Sequence, residues 1–462
     1  MISLYDTRQR AVLPFEPIAP GQVSMYVCGP TVYDVPHLGH ARTALTFDMI
    51  RRYLQWRGFE VTFVSNITDI DDKIIARAAA SGTTEAELAM HYKQVYMKQM
   101  ERFGIARPDH QPHATEYIAQ MLDLISELLK RKVAYVIKGK GIYFSVATHE
   151  SYGDLIGRTV NELRESAGAR VEVDANKADP LDFALWKAAK PGEPVWDSPW
   201  GPGRPGWHIE CVAMATHLLG EIFDIHGGGD DLAFPHHQNE IAEAEGAKLD
   251  FARYWIHGAM LNVNGEKMAK SLENFTTLSG LLDTHPPQVL RLLMLQTHYR
   301  TVMELSDDSL ASATGAMQRL NSWHRRSLAI GLSTATMDAE ALARFTAAMD
   351  DDFSTPAAVA VIFDLVRAGN AALDATDLTR ASEIFTTVHH LCDALGIDPS
   401  QENPTSTTTE TALTQQIDEL LDQRNQARAA KDFTRADAIR DQLAAEGIIL
   451  EDGPDGTIWR HP

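Results

Sequence analysis

The stretch Met25-Tyr-Val-Cys-Gly-Pro-Thr-Val-Tyr-Asp-Val-Pro-His-Leu-Gly-His40 narrows the possible folds more than any other part of this chain. Residues 24–28 have the alternation and β-branched content of a short strand, and Gly29-Pro30 ends it. A helical pattern begins near Gly39 and runs through Arg42, Leu45, Met49 and Tyr53. Strand, tight turn and helix in that order build a phosphate-binding crevice at the carboxyl edge of an open α/β sheet. The turn brings one cysteine, Cys28, and two histidines, His37 and His40, to that edge. A second strand over residues 61–67, an acidic turn at 68–72 and a helix from Lys73 repeat the unit.

The chain has 462 residues, too many for one compact core, and about two to four domains are expected. Helical patterns continue over residues 84–103 and 115–129. Residues 133–200 change character: strands of a hairpin flank Gly139-Lys-Gly141, and Gly, Pro and Trp accumulate through 191–206. This reads as an insertion between two halves of a parallel-sheet domain. The α/β pattern resumes with a helix at 207–219, a strand at 221–225, a Gly-rich turn, a helix at 238–245 and a strand around 254–257. Residues 265–275 read as a short polar loop, and residues 287–395 as an Ala/Leu-rich helix bundle. A linker composition at 400–410 precedes a small terminal unit.

Three cysteines, Cys28, Cys211 and Cys392, cannot make a disulfide framework, and a reducing cytoplasm is expected. The longest apolar runs fall short of a membrane span, and Met1-Ile-Ser-Leu-Tyr-Asp lacks the pattern of a secretory leader. The net charge of -21 argues against a surface coated for non-specific nucleic-acid binding, while leaving room for a local basic groove.

Four groups of residues carry chemistry. His37 and His40 stand where a nucleotide's phosphates would meet a helix start, although an isolated His-x-Gly-His also reads as two surface histidines at a cap. Lys267 and Lys270, in Gly265-Glu-Lys-Met-Ala-Lys-Ser271, could close over a triphosphate or form a solvated basic turn. Cys28, Cys211, His236 and Glu240 supply two thiolates, an imidazole and a carboxylate, which are donors that zinc prefers. His236 and Glu240 are spaced to share a helix face, and the alternative makes both cysteines core and His236-His237 a cap. The joint position of these donors at predicted strand ends favours metal. Thr68-Asp-Ile-Asp-Asp72 could orient a substrate amine or ribose, or cap the next helix through Asp71 and Asp72. Cys392 reads as a core thiol, as do Phe433 and Trp459 as core aromatics, with base stacking the lesser reading for the last two.

In order and spacing, HLGH at 37–40 and KMAKS at 267–271 resemble the HIGH and KMSKS signatures of class I aminoacyl-tRNA synthetases. MYVCGPTVYDVPHLGHAR, NITDIDDKI, GWHIECVAM, HGGGDDLAFPHHQNEIA, GEKMAKSLENF, MDDDFSTP and the tail strings KDFTRADAIRDQL and GIILEDGPDGTIW resemble cysteinyl-tRNA synthetases from about Leu4 to Trp459. The resemblance implies one zinc ion (Zn2+) on Cys28, Cys211, His236 and Glu240, binding the substrate L-cysteine as its thiolate. It implies ATP with magnesium (Mg2+) as substrate, bound by Gly39, His40 and Lys270. His37, His40, Lys267 and Lys270 would act in catalysis, and Gly29, Thr31, Thr68, Trp207 and Asp231 would contact the amino acid or its adenylate. A thiolate outbids a serine hydroxyl for zinc by far more than the roughly 1–3 kcal/mol that a methyl-sized difference supplies in an apolar pocket. No editing domain is then expected.

The expected architecture is α/β. A Rossmann-like parallel-sheet catalytic domain (1–116 and 203–253) is interrupted by a connective insertion (117–202). A stem-contact region (254–311), a helix bundle (312–399), a linker (400–410) and an anticodon-binding domain (411–462) follow. The partner is tRNA(Cys), with no membrane, and a monomer is expected. Ala269 and Glu273 depart from the usual serine and glycine, which predicts slower adenylate formation. Two rival readings are the related cysteine:amino-sugar ligase of mycothiol synthesis, which resembles the catalytic core but lacks the tail unit, and a non-catalytic RNA-binding paralogue. The intact histidines, lysines and zinc donors disfavour the second.

Overall fold

A computed structural model describes residues 1–167, 176–263, 265–267 and 276–401, together with 420–421, 423–424, 427, 432–445, 449–453 and 456–460 of the tail. It divides into two units, Met1–Pro399 and Ser400–Pro462.

The first unit opens with an antiparallel hairpin of β1 (Ser3–Asp6) and β2 (Ala11–Pro14). Next come β3 (Gln22–Val27), helix α1 (Leu38–Trp56), β4 (Glu60–Ser65), α2 (Asp72–Ser81) and α3 (Glu85–Arg102). The insertion contains α4 (Ile118–Lys130), β5 (Ala134–Ile137), β6 (Gly141–Phe144), α5 (Val160–Ala167), β7 (Phe183–Ala188) and β8 (Gly203–Pro205). Its four strands form an antiparallel sheet in chain order. The parallel sheet is completed by α6 (Trp207–Leu219), β9 (Ile222–Gly229), α7 (Gln238–Ala247) and β10 (Phe251–Gly258), in the order β10-β9-β3-β4. All of its neighbours run parallel, giving the expected Rossmann-like core.

One local expectation fails here. Residues 226–229 do not form a Gly-rich turn; they are the second half of β9. Pairing on both sides holds them extended, with Val27 and Ile256 opposite Gly227 and His257 opposite Gly228. The missing side chain lets α1 pack close, since a Cβ at Gly227 would stand 2.2 Å from the Phe47 ring.

Beyond the sheet lie β11 (Leu261–Val263), β12 (Glu266–Lys267), α8 (Leu278–Thr284), α9 (Pro287–Leu295) and β13 (Met303–Leu305). β11 pairs antiparallel with β12 and parallel with β13, so Glu266 and Lys267 are strand residues rather than loop. A bundle of α10 (Asp307–Ala329), α11 (Ala339–Asp350), α12 (Thr355–Asp374) and α13 (Leu378–Leu395) follows. Of the expected divisions, 253/254 lies within β10 and 311/312 within α10, while 202/203 lies at the start of β8.

Helix α1 carries a buried stripe of Leu38, Ala41, Leu45, Met49, Ile50 and Tyr53, which joins the sheet and the bundle in one core. Helix α12 is long and apolar enough to cross a membrane by length and composition, although Asp364 and Arg367 interrupt its apolar run. Its Ala358, Val359, Val361, Ile362, Leu365 and Val366 are buried in the bundle core.

The second unit contains α14 (Phe433–Ala445) and an antiparallel pair, β14 (Ile449–Gly453) and β15 (Gly456–Arg460). Ala436, Ile439 and Leu443 are buried on α14. The expected core placement of the Phe433 and Trp459 side chains lies outside the described residues.

Candidate active site

The carboxyl ends of β3, β4, β9 and β10 frame a cleft of about 560 Å³. Its walls include Cys28, Gly29, Thr31, His37, Gly39, His40, Trp207 and Asp231. Where β3 ends, the Cys28 N–H donates to the Gly227 carbonyl at 3.0 Å and the Gly29 N–H to Asn66 Oδ1 at 2.8 Å. A Cβ at Gly29 would sit 1.6 Å from the Asn66 carbonyl oxygen, so two loops touch through glycine backbone there. Thr31 and Thr68 face each other in a parallel bridge, with the Val32 N–H on the Thr68 carbonyl at 3.2 Å. Three expected amino-acid contacts, Gly29, Thr31 and Thr68, therefore lie together. Thr68 Oγ1 donates in turn to Glu210 Oε2 at 3.2 Å, and both residues are buried.

Cys28, in this wall, meets Cys211, His236 and Glu240; all four are buried, with one ligand atom from each within 4.8 Å of the others. Cys28 Sγ is 3.5 Å from Cys211 Sγ and 3.4 Å from Glu240 Oε1, and His236 Nε2 is 3.5 Å from Cys211 Sγ and 3.1 Å from Glu240 Oε1. Tetrahedral zinc with ordinary Zn–S, Zn–N and Zn–O lengths places its ligand atoms about 3.3–3.8 Å apart; the three spacings to sulfur, 3.4–3.5 Å, fall in that range, and the 3.1 Å nitrogen–oxygen pair is slightly closer. Burial pushes the Cys28 thiol well up and the Cys211 thiol up to about 11, so holding both as thiolates calls for a cation among them. His236 occupies an irregular, widened turn over Ala233–His237, not the regular helix expected, because Phe234 has extended backbone. The turn still delivers its Nε2 to Glu240 on α7.

A second donor set, Cys28, His226, His237 and Glu240, meets the same distance condition. The first set fits better for two reasons. His226 Nε2 is already 2.8 Å from Glu240 Oε2, the place of an outer partner that orients a ligating carboxylate. His236 is backed on its other nitrogen by His208 Nδ1 at 2.8 Å, and its ring stacks at 4.1 Å on Trp207, which lines the cleft.

His37 and His40 cap α1 and face the cleft at once. The His37 N–H donates to His40 Nδ1 at 3.2 Å, and the rings stack with centroids 3.7 Å apart. Lys267 lies on β12, but its side chain, together with Ala269, Lys270 and Glu273, lies outside the described residues. The chain re-enters beside the histidines: the Leu38 N–H donates to the Thr276 carbonyl and the Leu278 N–H to that of Pro36, at 3.2 and 3.1 Å. Asp231 lies in the short turn after β9, at the cleft wall.

The acidic turn is spent on structure. Asp69 accepts from Thr115 Oγ1 at 2.6 Å, Asp71 caps α2 through the Lys73 N–H at 2.9 Å, and Asp72 pairs with Lys187 and Arg204. The capping alternative holds for Asp71. Asn66, His208, Glu210 and His226 have no role assigned from the sequence, although the last three fall within the strings around the metal donors; a carboxylate near the start of the apolar stretch Ile209–Ala215 is the one signal that could have flagged Glu210. Cys392 is a fully buried core thiol, as read.

Comparison with known proteins agrees with this geometry. The family described as tRNA synthetases class I (C) catalytic domain matches residues 14–315, the DALR domain 344–397, and the cysteinyl-tRNA ligase anticodon binding domain 410–460. A cysteine--tRNA ligase of Halorhodospira halophila is 48% identical over 100% of this chain and 99% of its own length. One from Thioalkalivibrio sulfidiphilus is 47% identical over 100% of both chains. Among solved structures, Mycobacterium tuberculosis methionyl-tRNA synthetase in complex with methionyl-adenylate superposes with a TM-score of 0.60 at 15% identity, over 81% of this chain and 90% of that one, a likeness of fold. The chain belongs to the class I aminoacyl-tRNA synthetases, in the cysteine--tRNA ligase family.

Proposed function

We propose that this ligase selects cysteine through one zinc ion on Cys28, Cys211, His236 and Glu240 at the floor of the cleft. The observation that carries the reading is the convergence of those four buried donors at a cleft that also exposes His37 and His40. Bound zinc supplies a soft Lewis acid that holds the substrate thiolate and rejects a hydroxyl. Thr68, whose hydroxyl donates to Glu210, and Asp231 contact the bound amino acid or its adenylate, while Trp207 closes one wall and stacks on His236. Gly29 and Thr31 supply backbone close to the reacting carboxylate.

ATP, carrying magnesium, lies over Gly39 with its phosphates towards His37, His40, Lys267 and Lys270. The cysteine carboxylate attacks the α-phosphorus in line, and pyrophosphate leaves as the imidazoles and ammonium groups stabilise the gathering charge. The terminal ribose of tRNA(Cys) then attacks the adenylate carbonyl and releases AMP. Residues 411–462 read the anticodon. The chain acts in the cytoplasm as a monomer. A match of the anticodon-binding family to 410–460 leaves the amino-sugar ligase without support.

The test is charging of unfractionated tRNA with labelled cysteine and ATP, with serine as the control and zinc measured on the same sample. Cysteine on RNA, serine absent and about one zinc per chain are expected. Equal charging by serine would overturn thiolate selection, and cysteine-dependent ATP–pyrophosphate exchange without an RNA product would overturn the choice of tRNA.

A further inference from the structure

Arg42 stands on α1 two residues after His40, lines the cleft, and is only 5% exposed. A guanidinium so deep ordinarily has a carboxylate beside it. Among the described residues none forms an ion pair with Arg42; its partners are carbonyls. Nη1 donates to Met260 at 2.8 Å, and Nη2 donates to Thr301 and, at 3.5 Å, to His298. Burial without a counter-charge lowers its pKa to about 10.

The three acceptors show what the fork ties together. Met260 immediately precedes β11, and Thr301 lies two residues before β13, its parallel partner. The two segments are also joined by the Ala259 N–H on the Tyr299 carbonyl at 2.8 Å and the Met303 N–H on that of Met260 at 3.3 Å. Ala259, Met260 and Leu261 line the same cleft as His37 and His40. β11 then leads directly into β12 and Lys267. A single planar fork thus spans from the helix that begins at His37 to the root of the lysine segment. An apolar side chain of similar length would fill the space equally well, without the cost of a buried charge. The geometry is that of a locator.

We propose that Arg42 is a positioning residue for adenylate formation: its guanidinium fixes the wall Ala259–Leu261 and the root of the lysine segment against the helix that carries His37 and His40. The proposal rests on the reading of this cleft as the ATP site. The cysteine end of the cleft, built from β3, α6 and α7, does not use these hydrogen bonds. Loss of the fork therefore acts on ATP and leaves cysteine recognition alone.

The experiment is cysteine-dependent ATP–pyrophosphate exchange by the full chain and its Arg42→Met and Arg42→Lys variants, with KM measured separately for each substrate. Arg42→Met should lose about 10- to 100-fold in kcat/KM for ATP, the scale of one or two charge-assisted hydrogen bonds. Its KM for cysteine should stay within about two-fold and its zinc content should be unchanged. Arg42→Lys should fall between the two, since an ammonium keeps the charge but cannot reach both carbonyl groups as a fork does. The proposal is overturned if ATP and cysteine parameters decline together, or if folded Arg42→Met matches wild type. If Arg42→Met does not fold, Arg42→Lys decides by the same split. Failure of both to fold makes the residue a plain determinant of the fold and also overturns it. Wild type without exchange would instead overturn the reading of the cleft, and the proposal with it.

Discussion

Asp48 and Arg291 offer a sharp test of how α1 is held. Both are 1% exposed, and Arg291 Nη2 donates to Asp48 Oδ2 at 2.5 Å. Asp48 also accepts from Arg52 Nε at 2.8 Å and the Ala106 N–H at 3.0 Å, while Arg291 Nε donates to the Leu395 carbonyl at 2.8 Å. The pair therefore ties α1 to the loop after α3, to α9 and to the end of α13. Breaking it from one side strands a buried charge, which costs about 3–5 kcal/mol, whereas replacing both partners by apolar groups can be near neutral. Asp48→Asn and Arg291→Met should each lower the urea midpoint of the full chain, by about 1 M for a unit this large. An Asp48→Leu/Arg291→Met double variant should be less destabilised than the sum of its singles. Burial alone would raise the Asp48 pKa, but the charges of Arg291 and Arg52 override it and hold the carboxyl below its ordinary value. The stability it contributes is thus complete above the unfolded-state pKa of about 3.9 and is lost as pH falls through the lower folded value. The gap between wild type and Asp48→Asn should be flat from about pH 5 to 8 and close below about pH 4. Single variants costing under about 1 kcal/mol, or strictly additive ones, would refute the reasoning.

Cys211→Ser should lose most of its zinc by elemental analysis, while His237→Ala keeps it; the reverse result would select the donor set that omits Cys211. Gly29→Ala should force apart the two loops that meet at Asn66, lowering cysteine charging and costing about 1–3 kcal/mol in urea unfolding. Gly227→Ala should cost a similar amount, about 1–3 kcal/mol, and a Phe47→Leu change in the same chain should recover part of it, since the clash is with that ring. Ala269→Ser should speed ATP–pyrophosphate exchange; an unchanged rate would remove the missing hydroxyl as a cause of slow activation.

The parallel sheet and the long helices were legible because periodicity is local: α1 buries the stripe that the spacing of Leu45, Met49 and Tyr53 announced. The grouping of Cys28, Cys211, His236 and Glu240 was legible for a different reason, since buried thiols, an imidazole and a carboxylate are costly unless they share a task. The run Gly227–Gly229 was misread because glycine signals a turn locally, while its extended state comes from β3 and β10, which pair with it from distant parts of the chain. The acidic turn was half legible: its capping of α2 through Asp71 is local, whereas Lys187 and Arg204, the partners of Asp72, lie over a hundred residues away and are not marked by any spacing. Glu210, Arg42 and the Asp48–Arg291 pair belong to this class as well. A buried polar residue is tolerated only where distant segments converge to satisfy it, so its role is a property of the convergence and not of its own neighbours in sequence. The residues nearest to a ligand are therefore the ones that a sequence can name, and the residues that hold them in register need the fold. Arg42 joins the two classes: it follows the histidine motif by two residues, yet nothing about that motif says that its side chain ends on the carbonyls of Met260 and Thr301.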